Sequence, residues 1–91
     1  MSTKEKIQEQ VEVAEKSANQ HEIVLHNDEV NTFDFVIDAL IDVCEHTLVQ
    51  AEQCTLLVHY KGKASVKTGS FNDLKPRCSK LLEMGLSAEI V

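Results

Sequence analysis

The sequence predicts an α+β domain with the element order β-α-α-β-α-β, a three-stranded antiparallel sheet with three helices packed on one face. Three observations predict it. A β-branched apolar run, Glu22-Ile23-Val24-Leu25-His26, stands directly before turn chemistry. Two stretches at helical spacing follow, each opening on a capping pattern. A loosely alternating segment, a helical stretch closed by Gly85 and a short apolar end then complete the order.

The first strand is read over 22–26 from β-branched and apolar content. Asn27-Asp28-Glu29-Val30 breaks it, because Asn and Asp side chains bond their own backbone in turns. Asn31 is the expected N-cap of the next helix, with Asp34 placed to reach back as in a capping box. In that helix Phe33, Val36, Ile37, Leu40 and Cys44 recur at the spacing of one buried face, while Asp34, Asp38, Asp42 and Glu45 take the wet side. Thr47 and Gln50 form a second capping box, opening a helix through Leu48, Ala51, Thr55 and Val58 that stops at Gly62. Lys63 to Phe71 reads as a strand. Asn72 or Asp73 is expected to cap a third helix running to Met84, with Pro76 in its first turn. Leu86 to Val91 is the closing strand.

Ninety-one residues suffice for one domain, expected over 22–91, preceded by a flexible N-terminal extension over 1–21. In that extension the apolar stripe Ile7, Val11, Ala14 and Ala18 is too thin to bury much. It has no apolar core of the kind a secretory signal needs, and no run in the chain is long enough to span a bilayer. Cys44, Cys54 and Cys78 lack metal-site spacing and read as reduced, mostly buried thiols. A cytoplasmic protein is therefore expected.

The net charge of −6 is unevenly distributed. Residues 22–58 hold eight Asp or Glu and no Lys or Arg, whereas 59–91 hold six Lys or Arg against three acids. One face should attract a cation and another an acidic partner; ordinary solvated surface explains the same pattern. With no basic patch interleaved with aromatics, nucleic acid is not an expected partner.

Enzyme chemistry finds little support. The cysteines lie on helical stripes, and no nucleophile elbow, phosphate loop or HExxH pattern occurs. A zinc site from His26, His59 and Asp28 is conceivable, but the single, scattered histidines do not favour it; no metal and no cofactor are expected. Recognition fits better. A protonated amine needs acceptors on several sides, and Asn27, Asp28 and His59 offer an amide oxygen, a carboxylate and an imidazole lone pair. Phe33, Val36 and Val58 are apolar groups able to receive a large side chain. On composition and periodicity alone, plain turn chemistry for Asn27-Asp28 and a helix-dipole role for His59 are the better accounts.

The segment I-V-L-H-N-D-E-V-N-T-F-D-F-V-I-D-A-L (23–40), followed by A-E-Q-C-T-L-L-V-H-Y-K-G-K-A (51–64), resembles the ClpS adaptor family in order and spacing, over about residues 22–91. The resemblance implies a non-enzymatic adaptor. Such an adaptor binds proteins whose first residue is Leu, Phe, Tyr or Trp and delivers them to a Clp AAA+ unfoldase, ClpA-like or ClpC-like, working with the ClpP peptidase. It implies that Asn27 and His59 hydrogen-bond the substrate's α-amino group, that Asp28 supports that contact, and that Val36, Val58 and Leu86 are pocket walls. Phe33 stands at a gatekeeper position usually held by Met, and Thr55 replaces a usual pocket Met. Glu29 replaces a second Asp as supporting acid, and Asn31-Thr32 replaces a Thr-Pro-like helix entry. The extension over 1–21 would be the handle the unfoldase engages. A monomer is the default expectation. The competing reading is a generic α+β interaction module, laid out like the C-terminal domain of the ribosomal stalk protein, with no amine pocket.

Overall fold

The computed structural model of the protein describes residues 20–91, so the expected extension lies outside the described residues save Gln20 and His21. Its elements are β1 (His21–His26), α1 (Phe33–Cys44), α2 (Leu48–Lys61), β2 (Lys63–Gly69), α3 (Phe71–Glu83) and β3 (Ser87–Ile90). This is the expected order, with β1 opening one residue earlier, at His21.

The sheet order is β2-β1-β3, with β1 antiparallel to both neighbours. Alternation along β1 turns Ile23 and Leu25 into the core, 0% and 1% exposed, and leaves Glu22, Val24 and His26 on the other side. Pairing slips at one point: Ile23 lies opposite Lys67 and Val24 opposite Ser65, so Val66 is an extra residue, a β-bulge. The bulge carbonyl is used. His46 Nε2–H donates to Val66 O at 2.6 Å, tying the α1–α2 junction to β2.

The helices close the core with Leu40 and Cys44 of α1, Ala51, Thr55 and Val58 of α2, and Leu74, Cys78 and Leu81 of α3. Burial deepens along α1. Phe33, expected on the buried face, is 41% exposed, Val36 and Ile37 are half-buried, and Leu40 is fully buried. The first turn of α1 is thus the rim of something rather than part of the core. Burial pushes the Cys44 thiol up to about 11, and the Cys54 and Cys78 thiols are raised for the same reason, so none is a thiolate at neutral pH.

The capping box at Thr47 and Gln50 forms as read, with bonds of 2.9 and 3.1 Å. Two other caps differ. Thr32, not Asn31, caps α1, its hydroxyl accepting from Phe35 N at 3.1 Å. Ser70, not Asn72 or Asp73, caps α3, accepting from Asp73 N at 3.1 Å. The earlier start of α3 makes Phe71 its first residue and places Pro76 inside the helix, one turn deeper than expected, where the N–H it lacks leaves the Asn72 carbonyl without its helical donor. Gly62 ends α2 in the left-handed region, φ 89°, and its N–H donates to Val58 O at 2.9 Å. Among the described residues no helix is long and apolar enough to cross a membrane.

Candidate functional site

A cavity of about 390 Å³ opens where the end of β1, the turn after it, the start of α1 and the last turns of α2 meet. All of the residues singled out in the sequence line it: Asn27, Asp28, Glu29 and Asn31 from the turn, Phe33 and Val36 from α1, Thr55, Val58 and His59 from α2, and Leu86 before β3. His26 and Thr32, named in the sequence only for the zinc alternative and the helix entry, also line it, and Leu25 does so without having been anticipated. Strand alternation carries the signal for Leu25, since the last inward residue of β1 must floor whatever lies beneath the turn.

The turn is built around the Asp28 carboxylate. Its Oδ1 accepts from Val30 N at 3.0 Å and from Asn31 N at 2.9 Å, while Asn31 Nδ2–H donates to Oδ1 at 3.1 Å and Oδ2 at 3.0 Å. The backbone N–H of Asn31 is the main cause that holds the Asp28 carboxyl below the usual range; partial burial opposes it, and the Asn31 amide and Val30 N–H add to it. Asn31 Nδ2 also donates to Gly85 O at 3.0 Å. The expected helix cap is therefore a clamp. Its side chain joins the β1–α1 turn to the α3–β3 turn, which is why the adjacent Thr32 is left to cap the helix.

A second tie fixes the opposite wall. Asn27 N–H donates to Gly62 O at 2.8 Å, so the turn is anchored to the end of the helix that carries His59. The His59 ring stands edge-on to Phe33, with centroids 5.0 Å apart, and to Tyr60, 5.1 Å apart. The Thr55 hydroxyl donates to its own helix at Ala51 O, 2.7 Å, which satisfies its polar group and lets a buried Thr serve in an otherwise apolar wall. His26 Nε2 lies 3.1 Å from Glu89 Oε1 and is held on the sheet. Among the described residues no three His, Cys, Asp or Glu side chains come together as a metal-holding group, so the zinc alternative from His26, His59 and Asp28 has no geometric basis.

One cavity that combines Asn27, Asp28 and His59 with Leu25, Val36, Val58 and Leu86 marks a small α+β domain with a candidate ligand pocket. Comparison with known proteins gives its family. The model of the family described as ATP-dependent Clp protease adaptor protein ClpS matches residues 16–89, and the chain belongs to that family. It is 29% identical over 89 residues to the ATP-dependent Clp protease adapter protein ClpS of Acetivibrio thermocellus, covering 98% of this chain and 90% of that protein. A shorter alignment, 37% identical over 57 residues, matches the adapter of Sodalis glossinidius across 63% of this chain and 54% of the relative. Among solved structures, Agrobacterium tumefaciens ClpS2 bound to L-phenylalaninamide shares the fold, with a TM-score of 0.76 at 16% identity over 80% of this chain and 95% of that one. The family is one of Clp protease adaptors, so a Clp protease is the partner class it implies.

Proposed function

We propose that this adaptor reads the first residue of other proteins, taking a bulky hydrophobic side chain into the cavity while Asn27, Asp28 and His59 hold the free α-amino group at its mouth. The single observation that carries this is the composition of one cavity, whose lining brings together an amide, a carboxylate and an imidazole with the aliphatic side chains of Leu25, Val36, Val58 and Leu86. At about 390 Å³ it is near the lower end of the roughly 300–1,000 Å³ range of ligand pockets, a size suited to one large side chain and its backbone ends. L-phenylalaninamide, the ligand of the structural relative, carries a free α-amine beside a benzyl group, the same pairing of chemistries.

The physics of selection follows. Burying a Leu or Phe side chain contributes about 1.5–3 kcal/mol, so small first residues lose by leaving the hole unfilled. An internal residue or an acetylated end brings an amide instead of an ammonium and leaves acceptors at the mouth unpaired, at about 1–3 kcal/mol each. The bound protein would then pass to a Clp AAA+ unfoldase, ClpA-like or ClpC-like, paired with ClpP, in the cytoplasm, with the adaptor acting as a monomer and without catalysis of its own.

The test is a binding panel of peptides that differ only in their first residue. Free Phe- or Leu-first peptides are expected to bind in the micromolar range or tighter; acetylating the terminus is expected to abolish binding. His59→Ala, checked for folding by circular dichroism, should weaken the free peptides at least tenfold. Equal binding of free and acetylated peptides would sink the reading in favour of a generic interaction module.

A further inference from the structure

The cavity accounts for His59 and leaves its neighbour unused. Tyr60 lies outside the cavity lining and is 79% exposed, an unusual setting for the chain's single tyrosine. Leu56 and Leu57, four and three residues earlier on α2, are its neighbours on the helix surface and are each 43% exposed. The three side chains make an apolar ledge on the outward side of the helix whose inward side, Thr55 and Val58, walls the cavity. Phe33, His59 and Tyr60 form a row of rings with centroid spacings of 5.0 and 5.1 Å. That row starts on the cavity rim and ends on the ledge.

We propose that Tyr60, flanked by Leu56 and Leu57, is a second subsite that takes an apolar or aromatic side chain from one of the two residues following the bound first residue. The proposal rests on the reading of the cavity as the seat of a chain's first residue. With that side chain in the hole and the amine at the mouth, the rest of the peptide has to leave past the rim. Each further residue advances the chain by at most about 3.3–3.6 Å, so a peptide leaving His59 reaches a ring centred 5.1 Å further on within two residues. Successive side chains of an extended segment alternate in direction, so one of those two residues faces the ledge. A Tyr ring offers large, rigid apolar area at low entropic cost, the property that makes exposed tyrosines effective beside a binding site. The occupant is therefore the substrate's own chain rather than a separate protein.

Peptides beginning Phe-Gly-Gly, Phe-Leu-Gly, Phe-Phe-Gly, Phe-Gly-Leu and Phe-Gly-Phe, otherwise identical and fluorescently labelled at the far end, test this against the full chain. The expected result is that one Leu-containing register and its Phe counterpart bind roughly three- to tenfold tighter than Phe-Gly-Gly. Tyr60→Ala should erase that ratio, and Tyr60→Phe, which keeps the ring, should preserve it. Equal affinities for all Phe-first peptides, a ratio unchanged in Tyr60→Ala, or a ratio lost in Tyr60→Phe would each overturn the subsite. If Phe-Gly-Gly itself binds no better than its acetylated form, the cavity reading fails and the subsite falls with it. A normal first-residue preference with no second-position effect removes the subsite alone.

Discussion

Asp28 shows how a carboxylate that lines a site can also organise the turn that presents it. It collects the backbone N–H groups of Val30 and Asn31 and the Asn31 amide, which in turn holds Gly85 O. These donors favour the ionised form and lower the folded pKa. A lowered carboxyl pKa contributes stability that is fully present above the unfolded value, about 3.9, and is lost as pH falls through the folded value. Asp28→Asn keeps an oxygen for the backbone N–H groups but turns an NH₂ toward the Asn31 amide, donor against donor. The variant should be about 1 kcal/mol less stable at pH 7, and the gap should close as pH falls from about 4 toward 2. Urea unfolding at a series of pH values measures both, and equal stability at pH 7 would remove Asp28 from this role. The same residues mark where the sequence stops being legible. Asn31 and Thr32 are both good N-caps. What separates them is a contact far off in sequence: the Asn31 amide is engaged by Asp28 and by the carbonyl of Gly85, more than fifty positions away, and Thr32 is left to cap.

At the scale of elements, periodicity and β-branched runs located every helix and strand among the described residues, because a stripe of apolar residues can be satisfied only by burial. It was weaker at the ends. Ser70, Asn72 and Asp73 all have capping chemistry, and the selection of Ser70 placed Pro76 inside the helix. The β-bulge at Val66 had no local signature, since it depends on a partner strand and on His46. Gly62, by contrast, was legible, and its role goes beyond stopping α2. At φ 89° it turns its N–H onto Val58 O and its carbonyl toward Asn27 N, so the helix end and the first turn are set by one left-handed residue. A Cβ there would meet nothing within 4 Å, so Gly62→Ala carries a backbone cost alone. The left-handed penalty is about 1–2 kcal/mol and the reduced freedom of the unfolded chain offsets part of it, for a net loss of about 1 kcal/mol. Thermal unfolding checks this, and a variant as stable as the parent would show that the left-handed turn is not a constraint.

For the molecule as a whole, the candidate site assembles because its residues come from segments that the core brings together: the end of β1 beneath the turn, the rim of α1 and the last turns of α2. The sequence placed these residues on the right elements. It put Phe33 at the pocket and also on the buried face, and only the second differs, because periodicity reports which face a residue occupies and says nothing of how far along the helix burial extends. Charge is the other property of the whole chain. The segment 22–58, which supplies nearly all of the cavity lining, holds eight acids and no Lys or Arg in a protein of net charge −6. A free N-terminus arrives as a cation, and a lined cleft of one sign raises its encounter rate through a field that salt screens over about 10 Å at 0.1 M and 3 Å at 1 M. The proposed bond to the amine is short-ranged and would be far less sensitive to salt. Association of a Phe-first peptide with two further Lys residues should therefore slow severalfold between about 0.05 and 0.5 M salt, while its dissociation rate changes little. A neutral Phe-first peptide should show a smaller change. Stopped-flow anisotropy separates the two rates. If association is independent of salt for both peptides, the acidic field does not steer; if dissociation carries the salt dependence instead, the charges act at the contact itself and the amine is held by more carboxylate than Asp28 alone.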